Sequence, residues 1–200
     1  MKSRPLLVPT GAPAHGSGRP TLLDRITDAF VARPGASLGE LAAAAGIGRT
    51  TLHEAIGGRR DVVVAVANHA VDRCAAALRV ALEEAPEQDP VAVLRRIVAA
   101  LLDHGALLAF FFRQPAVDED EELLQRQSAE LDEPIMRQVR AAREAGALRS
   151  DSPEWWPGSA VYALLYVAWE GVQRGWLARL DAPELVLRTL LRGEGAPDVE

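Results

Sequence analysis

Immediately after Gly46 the chain sets five polar side chains, Arg49, Thr50, Thr51, His53 and Glu54, around one apolar residue, Leu52. A guanidinium, two hydroxyls and an imidazole on one short segment can donate to phosphate oxygens and base edges, and a carboxylate can accept from a cytosine amino group. Ser37 upstream and Arg59 downstream extend the same set of polar groups. Catalysis finds no comparable grouping. The four histidines, His15, His53, His69 and His104, are scattered. No His-x-x-x-His, Cys-x-x-Cys or Glu-x-x-His pair falls on a plausible face, and no glycine-rich loop follows a strand. No catalytic residue, metal ligand or cofactor is expected, and the chain reads as a non-enzyme.

Groups on such a segment reach a duplex only if a helix holds them outward. The surrounding sequence, Ser37 to Ile56, supplies that helix and a second one to brace it. Ser37-Leu38-Gly39-Glu40 is a capping box that opens a helix ending at Gly46, and Arg49 to Ile56 forms another that stops at Gly57-Gly58. Two short helices crossing steeply need small residues at the contact, a left-handed turn between them and apolar inner faces. Leu41, Ala42 and Ala45, then Gly46, then Ile47, Leu52 and Ala55/Ile56 meet those requirements. The second helix is left with its polar face free for a major groove, the arrangement of a helix-turn-helix.

Helical punctuation continues in both directions and alternating β-branched runs are absent, so the fold class is all-α. A first helix fits Leu22 to Arg33, capped by Thr21 with Asp24 and stopped by Pro34-Gly35. A long helix from Arg59 to about Glu84 leads away from the head. A polar break follows over 85–89, and Asp89-Pro90 starts the next helix. Gly105 is expected to separate that helix from a short apolar one, Ala106 to Arg113. The acidic run Asp118 to Glu122 suits a helix N-terminus, where carboxylates complement the helix dipole. The helix it opens runs toward Ala145 with a break or kink near Pro134. Ser152-Pro153-Glu154 is expected to start a helix lasting to about Leu180, and Asp181 to Glu184 a last one ending at Gly193. The expected domains are a disordered arm over 1–20, a helix-turn-helix head over 21–66, a helical regulatory and dimerisation body over 67–193, and a tail over 194–200.

Composition fits this division. At 48% hydrophobic and 25% charged, 200 residues can bury a real core. The net charge of −6 is uneven: residues 1–60 carry 8 Lys/Arg against 4 Asp/Glu, and residues 61–200 carry 14 against 24. A +4 head on a −10 body can approach phosphate with one end while the other repels it. One cysteine, Cys74, forms no internal disulfide and points to a reducing cytoplasm. No run approaches the roughly 18 apolar residues of a membrane span.

The segment Leu41-Ala42-Ala43-Ala44-Ala45-Gly46-Ile47, followed by Gly48-Arg49-Thr50-Thr51-Leu52-His53-Glu54-Ala55-Ile56-Gly57-Gly58-Arg59, resembles the head of the tetracycline-repressor-like (TetR) family in register. Glu144 to Glu154, with Gly146-Ala147-Leu148-Arg149-Ser150-Asp151, is similar to the turn before that family's dimerising helix. The resemblance implies a homodimeric, DNA-binding transcriptional regulator, a repressor released from its operator by a small-molecule effector. It implies DNA contacts from Ser37, Arg49, Thr50, Thr51, His53, Glu54 and Arg59, and dimerisation through the last two helices. His53 stands where the family usually has Tyr, Arg59 where it has Lys, and Gly39 where a basic residue is frequent; Glu54 repels phosphate. A helical interaction module, or a relative that has lost operator binding, is the competing reading.

Polar and aromatic residues beside apolar runs in the body mark a candidate effector pocket: Asp103, His104, Phe110, Phe111, Arg113, Trp155, Tyr162, Tyr166 and Trp169. Pockets of this kind combine apolar walls with a few placed polar groups.

Overall fold

The computed structural model describes residues 20–83, 89–114 and 119–194. The expected N-terminal arm up to residue 19, most of the expected polar break over 85–89, Asp118 and the end of the tail lie outside them. The described residues form helices and turns, with no strand among them: α1 (Leu22–Ala32), α2 (Leu38–Ala44), α3 (Arg49–Ala55), α4 (Arg59–Glu83), α5 (Pro90–Leu102), α6 (Gly105–Arg113), α7 (Glu121–Gln127), a π-helical segment (Ser128–Asp132), α8 (Glu133–Glu144), α9 (Trp156–Gln173) and α10 (Ala182–Glu194). None is long and apolar enough to cross a membrane.

The caps explain the boundaries. Thr21 and Ser37 each form a complete capping box, with Asp24 and Glu40. Asp89 accepts from the Val91 and Ala92 N–H groups with Pro90 in the first turn, and Asp120 accepts from Leu123 N–H. Three helices end on a glycine at positive φ, Gly46, Gly146 and Gly175. In each, the residue after the glycine donates to the carbonyl five residues back: Ile47 to Ala42, Ala147 to Ala142, Trp176 to Gly171. That pairing satisfies carbonyls a helix end leaves open, in a conformation glycine adopts without a Cβ penalty.

Both ends of α9 and the start of α6 differ from the sequence reading. The helix expected from Ser152 to Leu180 is α9, starting at Trp156 and ending at Gln173. Ser152 does not cap it, because Arg143 Nη2 donates to its hydroxyl at 2.8 Å and to its carbonyl at 3.1 Å. Gly175, at φ 71°, stops the far end. Gly105 does not separate two helices but opens α6 itself, after a turn at Asp103-His104. The break near Pro134 is a widening: proline has no N–H to donate and its ring crowds the preceding turn, and the π-helical Ser128–Asp132 lies directly before it.

Around α4 the core is continuous from head to body. Ile26, Phe30, Leu41, Leu52, Val62 and Val66 are fully buried in the head, and Leu94, Ile97, Leu101, Ile135, Val139 and Leu165 in the body. Cys74 is part of this core, and burial pushes its thiol up to about 12, so it packs as a hydrophobe.

Gly105 shows how tight the body is. A Cβ there meets Trp169 Cβ, Cγ and Cδ1 at 2.6–2.7 Å, so α6 and α9 touch at backbone distance. Gly105→Ala is expected to lower unfolding free energy by about 1–3 kcal/mol, the usual range for overpacking. Gly35→Ala, where nothing lies within 4 Å, leaves it nearly unchanged. Denaturant unfolding of the two variants beside the parent checks the difference.

Candidate nucleic-acid interface and effector cavity

The head is built around the α2–α3 turn. Leu41, Ala42 and Ala45 are buried on α2 and Leu52 on α3, so the two helices close on small and branched side chains. That packing turns Arg49, Thr50, Thr51, His53 and Glu54 to solvent, all five exposed on one seven-residue helix. Ser37 is exposed too, but its side chain serves α2: Oγ accepts from Glu40 N–H at 3.3 Å. Glu40 Oε2 in turn accepts from the Ser37 N–H and hydroxyl, both at 2.8 Å. The Ser37 N–H, then its hydroxyl, hold the Glu40 carboxyl below its ordinary range.

Two arginines clamp this unit. Arg25 on α1 donates from Nε to the Ala45 carbonyl at 2.9 Å and from Nη1 to the Pro20 carbonyl at 3.0 Å, tying the start of α1 to the turn before α3. Arg59 donates from Nη1 to the Ala36 carbonyl and from Nη2 to the Pro34 carbonyl at 2.8 Å. Its guanidinium lies 5.0 Å from the centre of the Phe30 ring. The fork of Arg59 therefore points into the α1–α2 turn, where it fixes the entry to α2. Sequence reasoning missed Arg25, because nothing local marks an arginine on α1 as a partner of a carbonyl 20 residues away.

α1 is fastened to α4 by Asp24 and Asp28. His69 Nε2 lies 2.8 Å from Asp24 Oδ1, and Arg73 Nη1 3.5 Å from Asp28 Oδ1. Burial opposes ionisation of Asp24, but the Thr21 hydroxyl and N–H and the His69 ring outweigh it and hold the carboxyl down at about 2.

In the body, a cavity of about 460 Å³ opens among α6, α7, the π-helical segment, α8 and α9. Phe111, Trp155 and Tyr162 lie on its wall, and Leu108, Leu124, Leu131, Ile135 and Met136 supply most of the rest. The Tyr162 hydroxyl donates to Asp132 Oδ1 at 2.8 Å, at the end of the π-helical segment. Burial pushes the Asp132 carboxyl above its ordinary value, and the Tyr162 hydrogen bond offsets part of that. Burial likewise pushes the Tyr162 phenol up, with the Asp132 charge second.

The other expected pocket residues lie elsewhere. Phe110 is in the core, edge-on to Phe30 with centroids 5.5 Å apart and 6.2 Å from Phe111. Asp103 and Trp169 line a separate cleft of about 100 Å³, where Arg179 Nη2 donates to Asp103 Oδ1 at 2.7 Å. Tyr166 packs against Trp169 at 6.3 Å. His104 is largely buried with Nδ1 unpartnered, and burial followed by the Arg73 charge lowers its pKa. The Arg113 side chain lies outside the described residues. Asp132 went unnoticed although Pro134 was a signal: a helix forced to widen two residues before a proline re-aims the side chains of that turn.

No family model matches the chain. It is 31% identical over 176 residues, 88% of its length and 89% of the relative's, to the HTH-type transcriptional repressor LfrR of Mycolicibacterium smegmatis. The chain belongs to the TetR-like transcriptional regulators. The crystal structure of LfrR from Mycobacterium smegmatis in complex with proflavine is similar at 28% identity and a TM-score of 0.71, covering 90% of this chain and 96% of that one. A TetR-family regulator from Marinobacter aquaeolei, at 16% identity and a TM-score of 0.70, covering 88% and 94%, shares the fold.

Within this TetR-like regulator the α1–α4 fastening sets how the head is held. Asp24 is ionised in the fold well below its ordinary pKa, so its contribution is present above about pH 4 and is lost as pH falls toward about 2. Asp24→Asn is expected to lower the melting temperature at pH 7. It should also flatten the decline in stability between those two pH values, as thermal melts across that window will read.

Proposed function

We propose that this regulator is a homodimeric repressor, acting in the cytoplasm, whose two α3 helices enter successive major grooves of an operator. A small molecule in the α6–α9 cavity is proposed to release it. The observation that carries the reading is the exposed set on α3, with Arg49 and Thr50 in its first turn and the apolar Leu52 turned inward. Residues at the N-terminal end of a recognition helix are those that reach base edges. In this reading Arg49, Thr50, Thr51 and His53 contact bases and phosphates, and Glu54 accepts from a cytosine.

Arg59 supports the surface rather than touching DNA through a free fork, since its donors hold the Pro34 and Ala36 carbonyls. Dimerisation falls to α9 and α10. Trp156, Ala160, Ala163 and Val167 follow one another at helical spacing along α9, and a nearly apolar groove runs from the first three to Thr189 and Gly193 of α10. Val167 is 63% exposed, which suits a face closed by a second copy through small residues.

Release by an effector needs a contact from cavity to head. Phe111 on the cavity wall meets Phe110, Phe110 meets Phe30 in the head core, and Phe30 carries the Arg59 guanidinium that fixes the α1–α2 turn. A ligand that shifts α6 would reposition the head through those rings, favouring another separation of the two α3 helices.

Duplex selected from a random pool by the full-length protein tests the reading. Affinity is expected to fall steeply with salt, as counterion release requires, and Arg49→Ala to weaken it. Val167→Glu is expected to yield monomers by light scattering and to lose operator binding. A salt-independent interaction, or no selected sequence, would favour a relative that has lost operator binding.

A further inference from the structure

The cavity has one feature that a general apolar pocket lacks. Among its described lining residues, Asp132 and the Tyr162 phenol are the ionisable groups; Gln127 and Ser159 are neutral, and no Lys, Arg or His is among them. The carboxyl of Asp132 stands at the junction of the π-helical segment and α8, half-buried, with Tyr162 OH on one oxygen. Aromatic side chains from α6, α9 and the turn before α9, Phe111, Tyr162 and Trp155, share the same wall.

Filling this cavity removes water from the carboxyl, at a cost set by the charge of the ligand. A neutral ligand leaves a desolvated carboxylate with the Tyr162 bond, or forces it to take a proton; an anion adds like charge at close range. A cation removes both penalties, because a charge-assisted hydrogen bond replaces the lost water, and aromatic faces attract the same charge.

We propose that the effector of this cavity is a flat aromatic cation, its charge set on the Asp132 carboxylate and its ring against Phe111, Trp155 and Tyr162. The assignment rests on the reading of the cavity as the effector site. The volume of about 460 Å³ lies within the range of pockets that bury drug-sized molecules. Asp132 is the specificity-determining residue, and Tyr162 a positioning residue that holds its carboxyl toward the cavity.

Two ligands on one acridine ring test the preference, and Asp132→Asn separates the part due to charge from the part due to their different amino groups. Proflavine is a diaminoacridine that carries a positive charge at neutral pH, and acridine is its uncharged parent ring. Fluorescence titration of the full-length protein without DNA is expected to show proflavine binding about ten- to hundredfold tighter than acridine, the worth of a charge-assisted hydrogen bond. Asp132→Asn is expected to bind acridine like the parent protein while losing that preference, and Asp132→Glu to keep it.

Equal affinities for the two rings, no binding of proflavine by the unaltered protein, or an undiminished preference in D132N would each overturn the proposal. The comparison on the unaltered protein holds even where a variant fails to fold. The operator mobility shift separates the two readings. If proflavine is preferred but leaves the operator complex intact, the effector role falls and the cation site stands; if the rings bind equally, the cation site falls alone.

Discussion

The ring of Phe30 is the point on which head and body both depend. It is fully buried on α1, with the Arg59 guanidinium 5.0 Å from its centre and Phe110 edge-on at 5.5 Å. Arg59 spends its other donors on the carbonyls of Pro34 and Ala36, so a cation, an aromatic ring and a turn backbone share one contact. Arg59 stays exposed overall, but a guanidinium face laid against an apolar ring is favourable when its N–H groups are met and its charge has an attractive surface beside it. Both conditions hold, and the turn before α2 is thereby fixed to the packing of α1 on α6. The recognition helix inherits its orientation from that turn.

The same logic explains why charge is unevenly spread. The head carries the net positive charge, yet Arg25 and Arg59 face backbone carbonyls, and their charge adds to the field around α3 while their donors hold the turns. The body is acidic, but Asp24 and Asp28 of the head also fasten α1 to His69 and Arg73 of α4. Side chains counted together in the sequence as one electrostatic patch are thus divided between holding the head and presenting its surface.

This division marks where the sequence was legible. The Ser37 capping box, the Gly46 turn and the inward Leu52 were readable because each is set by neighbours within four residues, and the helix-turn-helix follows from them. The five outward polar residues of α3 followed from the same periodicity. The far end of α9 falls at Gln173 and not near Leu180 because Gly175, at positive φ, ends the helix. The cavity was less legible. Phe111, Trp155 and Tyr162 stood out as aromatics, but Asp132 reaches them across 30 residues and by way of a widened turn, a relation that no local pattern encodes. Asp103 and His104 stood out in the sequence instead, and packing leaves both outside the lining of that cavity.

α9 borders both the cavity and the groove proposed for the second copy, and Ser159 lines both. Tyr162 faces the cavity and Asp132, while Ala160, Ala163 and Val167, one to five residues away, sit on the stripe assigned to the second copy. A rigid helix cannot move one side without the other, and close packing at Gly105 and Gly158 leaves little slack: a Cβ at Gly158 meets Met136 Sδ at 2.3 Å. In the proposed dimer, a ligand held between α8 and α9 would act on the dimer face through Tyr162 and on the head through Phe111 and Phe110. Under that proposal both routes would alter the spacing of the α3 helices, one by turning the protomers and one by tilting the head within each. Their effects combine only if α6 and α9 move together, and the contact of Gly105 with Trp169 is what joins them.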